Sequence, residues 1–329
     1  MPFITPLIDE IFSVNKDSFD SLTIEIFQYQ AQNNPVYSQY LDYLRINTSE
    51  VKKVAQIPFL PIELFKNHRI ITGNAGPEMI FESSGTTGSI PSRHFITDLA
   101  VYRKSIEKGF RHFFGDPADY VFLALLPNYL ERKNSSLVYM TQHLMELSGH
   151  NDNGFYLYEH EKLAQKIEFL SGDKRKVFFI GVSFALLDFA EQFKPDLSNA
   201  VIMETGGMKG KRKELTRPEL HDELKMAFHS DHIMSEYGMA ELLSQAYSLK
   251  KGIFETPAWM RFMVRDTNDP FCFLENGQTG GLNIIDLANI NSCSFIATQD
   301  LGKILNDGNT EIMGRFDNSD IRGCSLMYD

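Results

Sequence analysis

Phe81-Glu82-Ser83-Ser84-Gly85-Thr86-Thr87-Gly88-Ser89 is the stretch around which the rest of the sequence falls into place. It follows Glu78-Met79-Ile80-Phe81, an apolar run that reads as a strand end. Gly85 and Gly88 open backbone angles closed to other residues and let a phosphate approach the main chain. Ser83, Ser84, Thr86 and Thr87 add hydroxyl donors, and successive amide N–H groups can form an anion-binding nest. A loop this rich in donors and this poor in charge suits a mobile polyphosphate tail. The competing reading is a solvated Ser/Thr/Gly turn. The Gly-x-x-x-x-Gly-Lys-Ser/Thr spacing of a P-loop is absent.

Outward from this loop the sequence alternates between strand and helix signals. Residues 1–55 read as helical, with Phe19, Leu22, Ile26 and Phe27 on one face, and Pro58 and Pro61 then break the pattern. Downstream, Asp98 reads as the N-cap of a helix running to Gly115. Tyr120–Leu126 is a continuous apolar run of buried-strand type. Ser135–Leu147 reads as a helix closed by Gly149, Phe155–Tyr158 as a strand and Lys162–Leu170 as a helix. Val177–Ile180 and Ala200–Met203 are further strands, with a helix over Ser183–Phe193 between them. Thr216 and Glu219 form a capping box, with Pro218 in the first turn, for a helix to Phe228. This alternation predicts an α/β sheet covered by helices. From Trp259 the signals become short strands separated by turns, among them Asn276-Gly277 and Asp307-Gly308, both hairpin signals. The expected organisation is a helical segment at 1–55, an α/β core at 56–258 and a β-rich part at 259–329.

Composition narrows the function classes. The 329 residues suffice for one large domain or two fused ones. A hydrophobic content of 43% and an aromatic content of 12% mark a folded protein. The net charge of −11 argues against a nucleic-acid partner and against an anionic membrane surface. No apolar run reaches transmembrane length, and the first residues lack the pattern of a secretion signal. Three cysteines, Cys272, Cys293 and Cys324, are too few and too unevenly spaced for a disulfide framework or a zinc site. A reducing cytoplasm, with each cysteine a free thiol, is the expectation.

Four further stretches carry chemistry. Thr205-Gly206-Gly207-Met208-Lys209-Gly210 follows an apolar strand, and its adjacent glycines let a flat ring lie against bare backbone, or simply make a turn. In Ser235-Glu236-Tyr237-Gly238-Met239-Ala240-Glu241, Tyr237 could stack on a base and Glu241 could reach Mg²⁺, a hard cation that favours oxygen. In Thr298-Gln299-Asp300-Leu301-Gly302-Lys303, Asp300 could accept from both ribose hydroxyls, or sit in a β-turn. Gly314-Arg315-Phe316-Asp317 is otherwise a surface Gly-Arg turn.

In this order the stretches resemble the adenylate-forming superfamily of acyl-CoA ligases, luciferases and peptide-synthetase adenylation domains. Ser84-Gly85-Thr86-Thr87-Gly88 looks like its phosphate loop, Gly206-Gly207 like its adenine loop, and Tyr237-Gly238 like its base-stacking motif. Glu241 is similar to its magnesium ligand, Asp300 to its ribose carboxylate and Arg315 to its hinge-side arginine. Ile57–Lys66, Thr205–Gly210 and Ser235–Glu241 carry a closer resemblance to LuxE-type acyl-protein synthetases and phenylacetate–CoA ligases. The resemblance covers residues 50–329. It implies a superfamily N-terminal domain, with parallel-sheet α/β subdomains and a barrel-like β subdomain, that lacks the small mobile C-terminal domain. It also implies ATP and Mg²⁺ as cofactors, a carboxylic, in particular fatty, acid as substrate, and an acyl reductase or acyl-transfer protein as partner.

The sequence departs from the pattern in two places. The superfamily loop continues to Pro-Lys, whereas here it reads Gly88-Ser89-Ile90-Pro91-Ser92-Arg93-His94. Arg93, His94, Arg132, Lys209 and Lys211 are alternative sources of the missing charge, and Leu126–Arg132 could line an acyl pocket or form an ordinary strand-end loop. The sequence also stops soon after Arg315, and the expectation is a protein without the ligases' C-terminal domain and its catalytic Lys. In LuxE-type enzymes a cysteine near the C-terminus carries the acyl group. The resemblance assigns that role to Cys324, whose neighbour Arg322 would favour the thiolate; the alternative is an idle tail thiol. Two other readings stay open: transfer to CoA, a carrier protein or a sugar, and a nucleotide-binding subunit without catalysis.

Overall fold

The strand Tyr120–Leu125 is apolar and buried at all its positions. A strand with both faces covered belongs inside a parallel sheet, and that is where it lies. The computed structural model describes residues 4–83, 90–126, 134–171, 176–207, 212–213 and 215–315. The phosphate-loop residues Ser84, Gly85, Thr86, Thr87 and Gly88 lie outside the described residues, as do Arg132, Lys209, Lys211, Arg322 and Cys324. The chain divides into two units, one made of Phe81–Ser83 and Leu99–Glu255, the other of Met1–Ile80, Ser84–Asp98 and Thr256–Asp329.

The first unit is a six-stranded sheet in the order Gly154–Tyr156, Tyr120–Leu125, Lys176–Val182, Val201–Thr205, Met234–Tyr237, Ala246–Ser248. All neighbours are parallel except the last pair. The helices Leu99–Phe114, Ser136–Ser148, His160–Ser171, Ser183–Phe193 and Arg217–Phe228 alternate with the strands, as the expected α/β class requires. Local chemistry sets their ends. Ser135 caps the second helix through the Val138 amide, and Gly149 closes it at φ 64°. Thr216 and Glu219 make the anticipated capping box, with the Thr216 amide 2.8 Å from Glu219 Oε2. On the sheet, Phe110 packs 5.2 Å from Phe178 and 5.5 Å from Phe122, ring centre to ring centre. The Phe-rich composition here serves the core.

The second unit joins both ends of the chain. Its antiparallel sheet runs Met260–Arg265, Thr279–Asp286, Phe295–Ile304, Thr310–Arg315, and Leu60–Pro61 pairs in parallel with Phe295–Ile304. The helices Phe19–Asn33 and Pro35–Tyr43 are tied to this sheet by buried amides. Gln30 Nε2 donates to the Asn289 and Ile290 carbonyls at 3.0 Å, and Gln30 Oε1 accepts from the Ser294 amide at 2.9 Å. Asn34 caps the second helix and donates to the Ser292 carbonyl at 2.8 Å. Phe27, Tyr37, Phe59 and Phe295 pack ring against ring at 6.0–6.1 Å. Asp307-Gly308 turns a hairpin as expected, with Gly308 at φ 87°. Asn276-Gly277 does not: it ends a longer connection over 266–278, in which Phe273 bridges back to Arg265.

Candidate functional site

Two clusters of expected site residues are described, one in each unit. In the first unit the strands Val201–Thr205 and Met234–Tyr237 are parallel neighbours, with Met203 opposite Met234 and Glu204 opposite Ser235. Their carboxyl ends therefore lie side by side, at the edge of an open α/β sheet where ligands bind. One strand runs into Gly206 and Gly207, exposed and in the left-handed region at φ 75° and 65°. The other runs into Tyr237, Gly238 and the buried segment Ala240–Ser248. The Tyr237 ring stands edge-on to Phe254 at 6.1 Å, which fixes its plane. Glu241 is buried at 4% exposure. Among the described residues no group of three or more His, Cys, Asp and Glu is placed to hold a metal. A single carboxylate nevertheless fits Mg²⁺ arriving on a nucleotide, because that ion usually takes one or two carboxylates and completes its shell with phosphate oxygens and water.

Beneath these loops lies a polar network that the sequence did not reveal. Glu204 is buried at 6% exposure, and its Oε2 accepts from Ser183 Oγ at 2.9 Å. Its Oε1 lies 3.6 Å from both Arg217 Nε and His221 Nε2. Burial pushes this carboxyl up, but His221, Arg217 and Ser235 outweigh burial and leave its pKa below the usual value. Ser235, His221 and Glu204 have the composition of a nucleophile triad without its geometry. The same imidazole nitrogen, Nε2, meets Ser235 Oγ at 3.0 Å and Glu204 at 3.6 Å, so the ring cannot relay a proton between them. The trio is structural. Glu236, on the neighbouring strand, accepts from the Thr205 hydroxyl. Burial, with the Glu204 charge adding to it and the Thr205 bond opposing it, raises the Glu236 pKa to about 7. A Cβ at Gly238 would lie 2.3 Å from Glu236 Oε1, so a side chain there would push the end of that carboxyl aside. Glu204 carries no sequence signal: its role depends on which strands are neighbours.

In the second unit, Asp300 lies in the strand Phe295–Ile304 and Arg315 in Thr310–Arg315. Neither sits in a turn. The two are register partners, and Arg315 Nε lies 3.4 Å from Asp300 Oδ1. Asp300 is buried while the Arg315 side chain is 71% exposed, so the acid is fixed and the cation is free to reach outward. The Asp300 amide donates to Thr298 Oγ1 at 3.1 Å. Below them, Arg265 is anchored by the Leu282 carbonyl at 2.9 Å, Asn283 Oδ1 at 2.7 Å and the Thr298 carbonyl at 2.6 Å. Gly281 leaves room for that guanidinium, which a Cβ would meet at 2.8 Å. Of the alternative cations near the loop, Arg93 is exposed with its guanidinium 5.7 Å from the Phe95 ring centre. His94 is buried and packs edge-on against Phe65 at 5.6 Å, a core position.

No family model matches the chain, and no curated relative matches it. Solved structures do. An open conformation of 2-hydroxyisobutyryl-CoA ligase with 2-HIB-AMP and CoA aligns at a TM-score of 0.69 and 14% identity, over 93% of this chain and 72% of that one. ATP-bound MatB from Rhodopseudomonas palustris aligns at a TM-score of 0.55 and 15% identity, over 74% of this chain and 49% of that one. An ATP-bound RpMatB-BxBclM chimera gives a TM-score of 0.56 at 15% identity, again over 74% and 49%. The chain spans about half the length of the MatB structures it matches. The likeness is one of fold: this chain has an α/β fold similar to that of these ligases. Among the described residues no helix is long and apolar enough to cross a membrane.

Proposed function

We propose that the protein activates a carboxylic acid, in particular a fatty acid, by joining it to the α-phosphate of ATP. The acyl group then passes to the thiol of Cys324, as in acyl-protein synthetases. The observation that supports the first step is the side-by-side ending of Val201–Thr205 and Met234–Tyr237, from which Gly206-Gly207 and Tyr237-Gly238 lead out. In this reading Gly206-Gly207 and Tyr237 bracket the base, and Asp300, with Arg315 opposite it, holds the ribose. Ser84–Gly88 takes the β- and γ-phosphates. Glu241 would hold Mg²⁺, which when bound offsets phosphate charge. Two anions must meet in this reaction, so positioning and positive charge carry most of the catalysis.

One of the three thiols fits a passive role. Cys293 is buried and its thiol is pushed up to about 12 by that burial, which leaves almost no thiolate at neutral pH. Cys272 is exposed, and the reading gives it no part. Cys324 is the proposed acceptor, and cytoplasmic residence keeps it reduced in this picture. A second reading, CoA as the acceptor, draws support from the fold neighbour held with 2-HIB-AMP and CoA. Whether an acyl reductase or another transfer protein then takes the group is a question for the acylated product.

The test is pyrophosphate exchange into ATP over a panel of carboxylic acids of increasing chain length, followed by acyl labelling. Exchange with one class of acid is expected, with a hydroxylamine-sensitive label lost in Cys324→Ala and kept in Cys272→Ala. Exchange with no acid at all would remove adenylation. Label persisting in Cys324→Ala, or appearing on CoA instead, would move the acceptor.

A further inference from the structure

The strand Phe295–Ile304 does not run evenly beside Thr279–Asp286. Gly281 pairs with Leu301 and Asn283 with Ala297, so Leu282 alone faces the three residues Thr298, Gln299 and Asp300. The surplus makes a β-bulge, a feature that re-aims a side chain and is frequent beside active sites. Asp300 is the last residue of this bulge, and on its other side it keeps its pairing with Arg315.

A bulge takes carbonyls and amides out of the ladder, and buried ones need other partners. Side chains supply them here. Arg265 Nη1 donates to the Leu282 carbonyl at 2.9 Å and Nη2 to the Thr298 carbonyl at 2.6 Å, so one guanidinium spans the gap between the two strands. Thr298 Oγ1 donates to the same Leu282 carbonyl at 2.8 Å and accepts from the Asp300 amide at 3.1 Å. Gln299 Nε2 donates to Glu63. Arg265 belongs to a third strand, Met260–Arg265, and reaches the bulge over Gly281, its register partner. It is buried at 8% exposure. A Cβ on Gly281 would lie 2.8 Å from Arg265 Cζ and 3.0 Å from both Nη atoms, so the missing side chain is what makes room for the guanidinium. Arg265, Gly281 and Leu301 align across the sheet, which puts Arg265 on one face and Asp300, one residue along, on the other. The guanidinium therefore acts on Asp300 through the Thr298 backbone.

We propose that Arg265 is a positioning residue: it fixes the bulge at 298–300 from the opposite face of the sheet and so holds the Asp300 carboxylate where it takes the ribose hydroxyls of ATP. The ribose part rests on the function proposed above; the tie between Arg265 and the bulge does not. Arginine suits the task because its planar fork sets two donors in fixed directions, one for each strand.

Two measurements on the full chain test this. The first is the affinity for ATP against 2′-deoxy-ATP. The wild type is expected to prefer ATP by about tenfold or more, the worth of a hydrogen bond to a charged group. In Arg265→Gln that ratio should fall toward one, as in Asp300→Ala, and the double variant should bind ATP no more weakly than Asp300→Ala alone. An arginine that only supports the sheet would lower the denaturant midpoint and leave the ratio at its wild-type value, which would overturn the proposal. If Arg265→Gln does not fold, Gly281→Ala takes its place: it keeps the charge and pushes the guanidinium off its carbonyls, and the same loss of ratio is expected. The second measurement is hydrogen exchange at the Asp300 amide, expected to be faster in either variant while the amides of Tyr120–Leu125 stay as in the wild type. Unchanged exchange at Asp300 overturns the tie whatever the protein binds. Faster exchange in a protein that binds no ATP removes the nucleotide reading and leaves the tie standing.

Discussion

A residue is reactive or inert here according to the company its strand gives it. Glu204 and Glu236 are the same side chain on adjacent strands, yet one is held ionised and the other carries a proton near neutrality. The consequence for stability has a definite sign. Glu236 is raised from 4.5 to about 7 in the folded state, so its neutral form contributes stability fully present below pH 4.5 and lost as pH climbs through 7. The interval corresponds to at most about 3 kcal/mol, less whatever partial exposure screens. Glu236→Gln should therefore be more stable than wild type at pH 8, with the gain vanishing toward pH 4.5; denaturant unfolding at both pH values checks it. Glu241 gives a second prediction. Glu241→Gln preserves shape and removes the charge, so adenylate formation should drop by about two to three orders of magnitude while ATP binding changes little. Exchange activity near the wild-type level would take Glu241 out of the mechanism. As a candidate, Glu241 was visible in the sequence because it sits in a spaced motif. Glu204 was not, because nothing local distinguishes it from any acid at a strand end.

Elements were most legible where their ends carry local chemistry. The helix Arg217–Phe228 announces itself through Thr216, Pro218 and Glu219, and begins where they say. Thr216→Ala should accordingly cost about 1 kcal/mol, seen as a lower denaturant midpoint with an unchanged slope. The long strand Phe295–Ile304 was only half legible. Its first residues are apolar, but Thr298-Gln299-Asp300 is polar and turn-like, and pairing on both sides rather than propensity keeps it extended. The same holds for Arg315, which reads as a turn and ends a strand. Asp300 and Arg315 lie 15 residues apart in sequence and become neighbours only through the Asp307-Gly308 hairpin. The ordinary-looking turn is thus what assembles this part of the candidate site. Gly280-Gly281 lies inside a strand, where a Cβ at Gly280 would lie 2.2 Å from the Arg265 carbonyl.

At the scale of the whole molecule the two units differ in how the chain reaches them. One is drawn almost entirely from a continuous run, Leu99–Glu255; the other needs both ends. Removing residues 1–47 should therefore unfold the antiparallel sheet far away in sequence, because Gln30, Asn34, Phe27 and Tyr37 leave its core together. Limited proteolysis should then digest 256–315 while a fragment near 99–255 survives. Equal protease resistance of both regions in the truncated protein would show that the sheet stands without its helices.

That asymmetry also bears on how the protein is made. The bond between Gln30 and Ser294 spans 264 positions, so the early helices emerge from the ribosome long before the strands they dock against exist. At about 5–20 residues per second the delay is on the order of tens of seconds. For that time Phe19, Phe27 and Tyr37, all buried in the finished fold, are exposed on a nascent chain with nothing to cover them. The continuous unit meanwhile can finish folding as soon as its last strand is clear. Helices made before their partner strands are then among the last elements to settle, and they have most need of a chaperone.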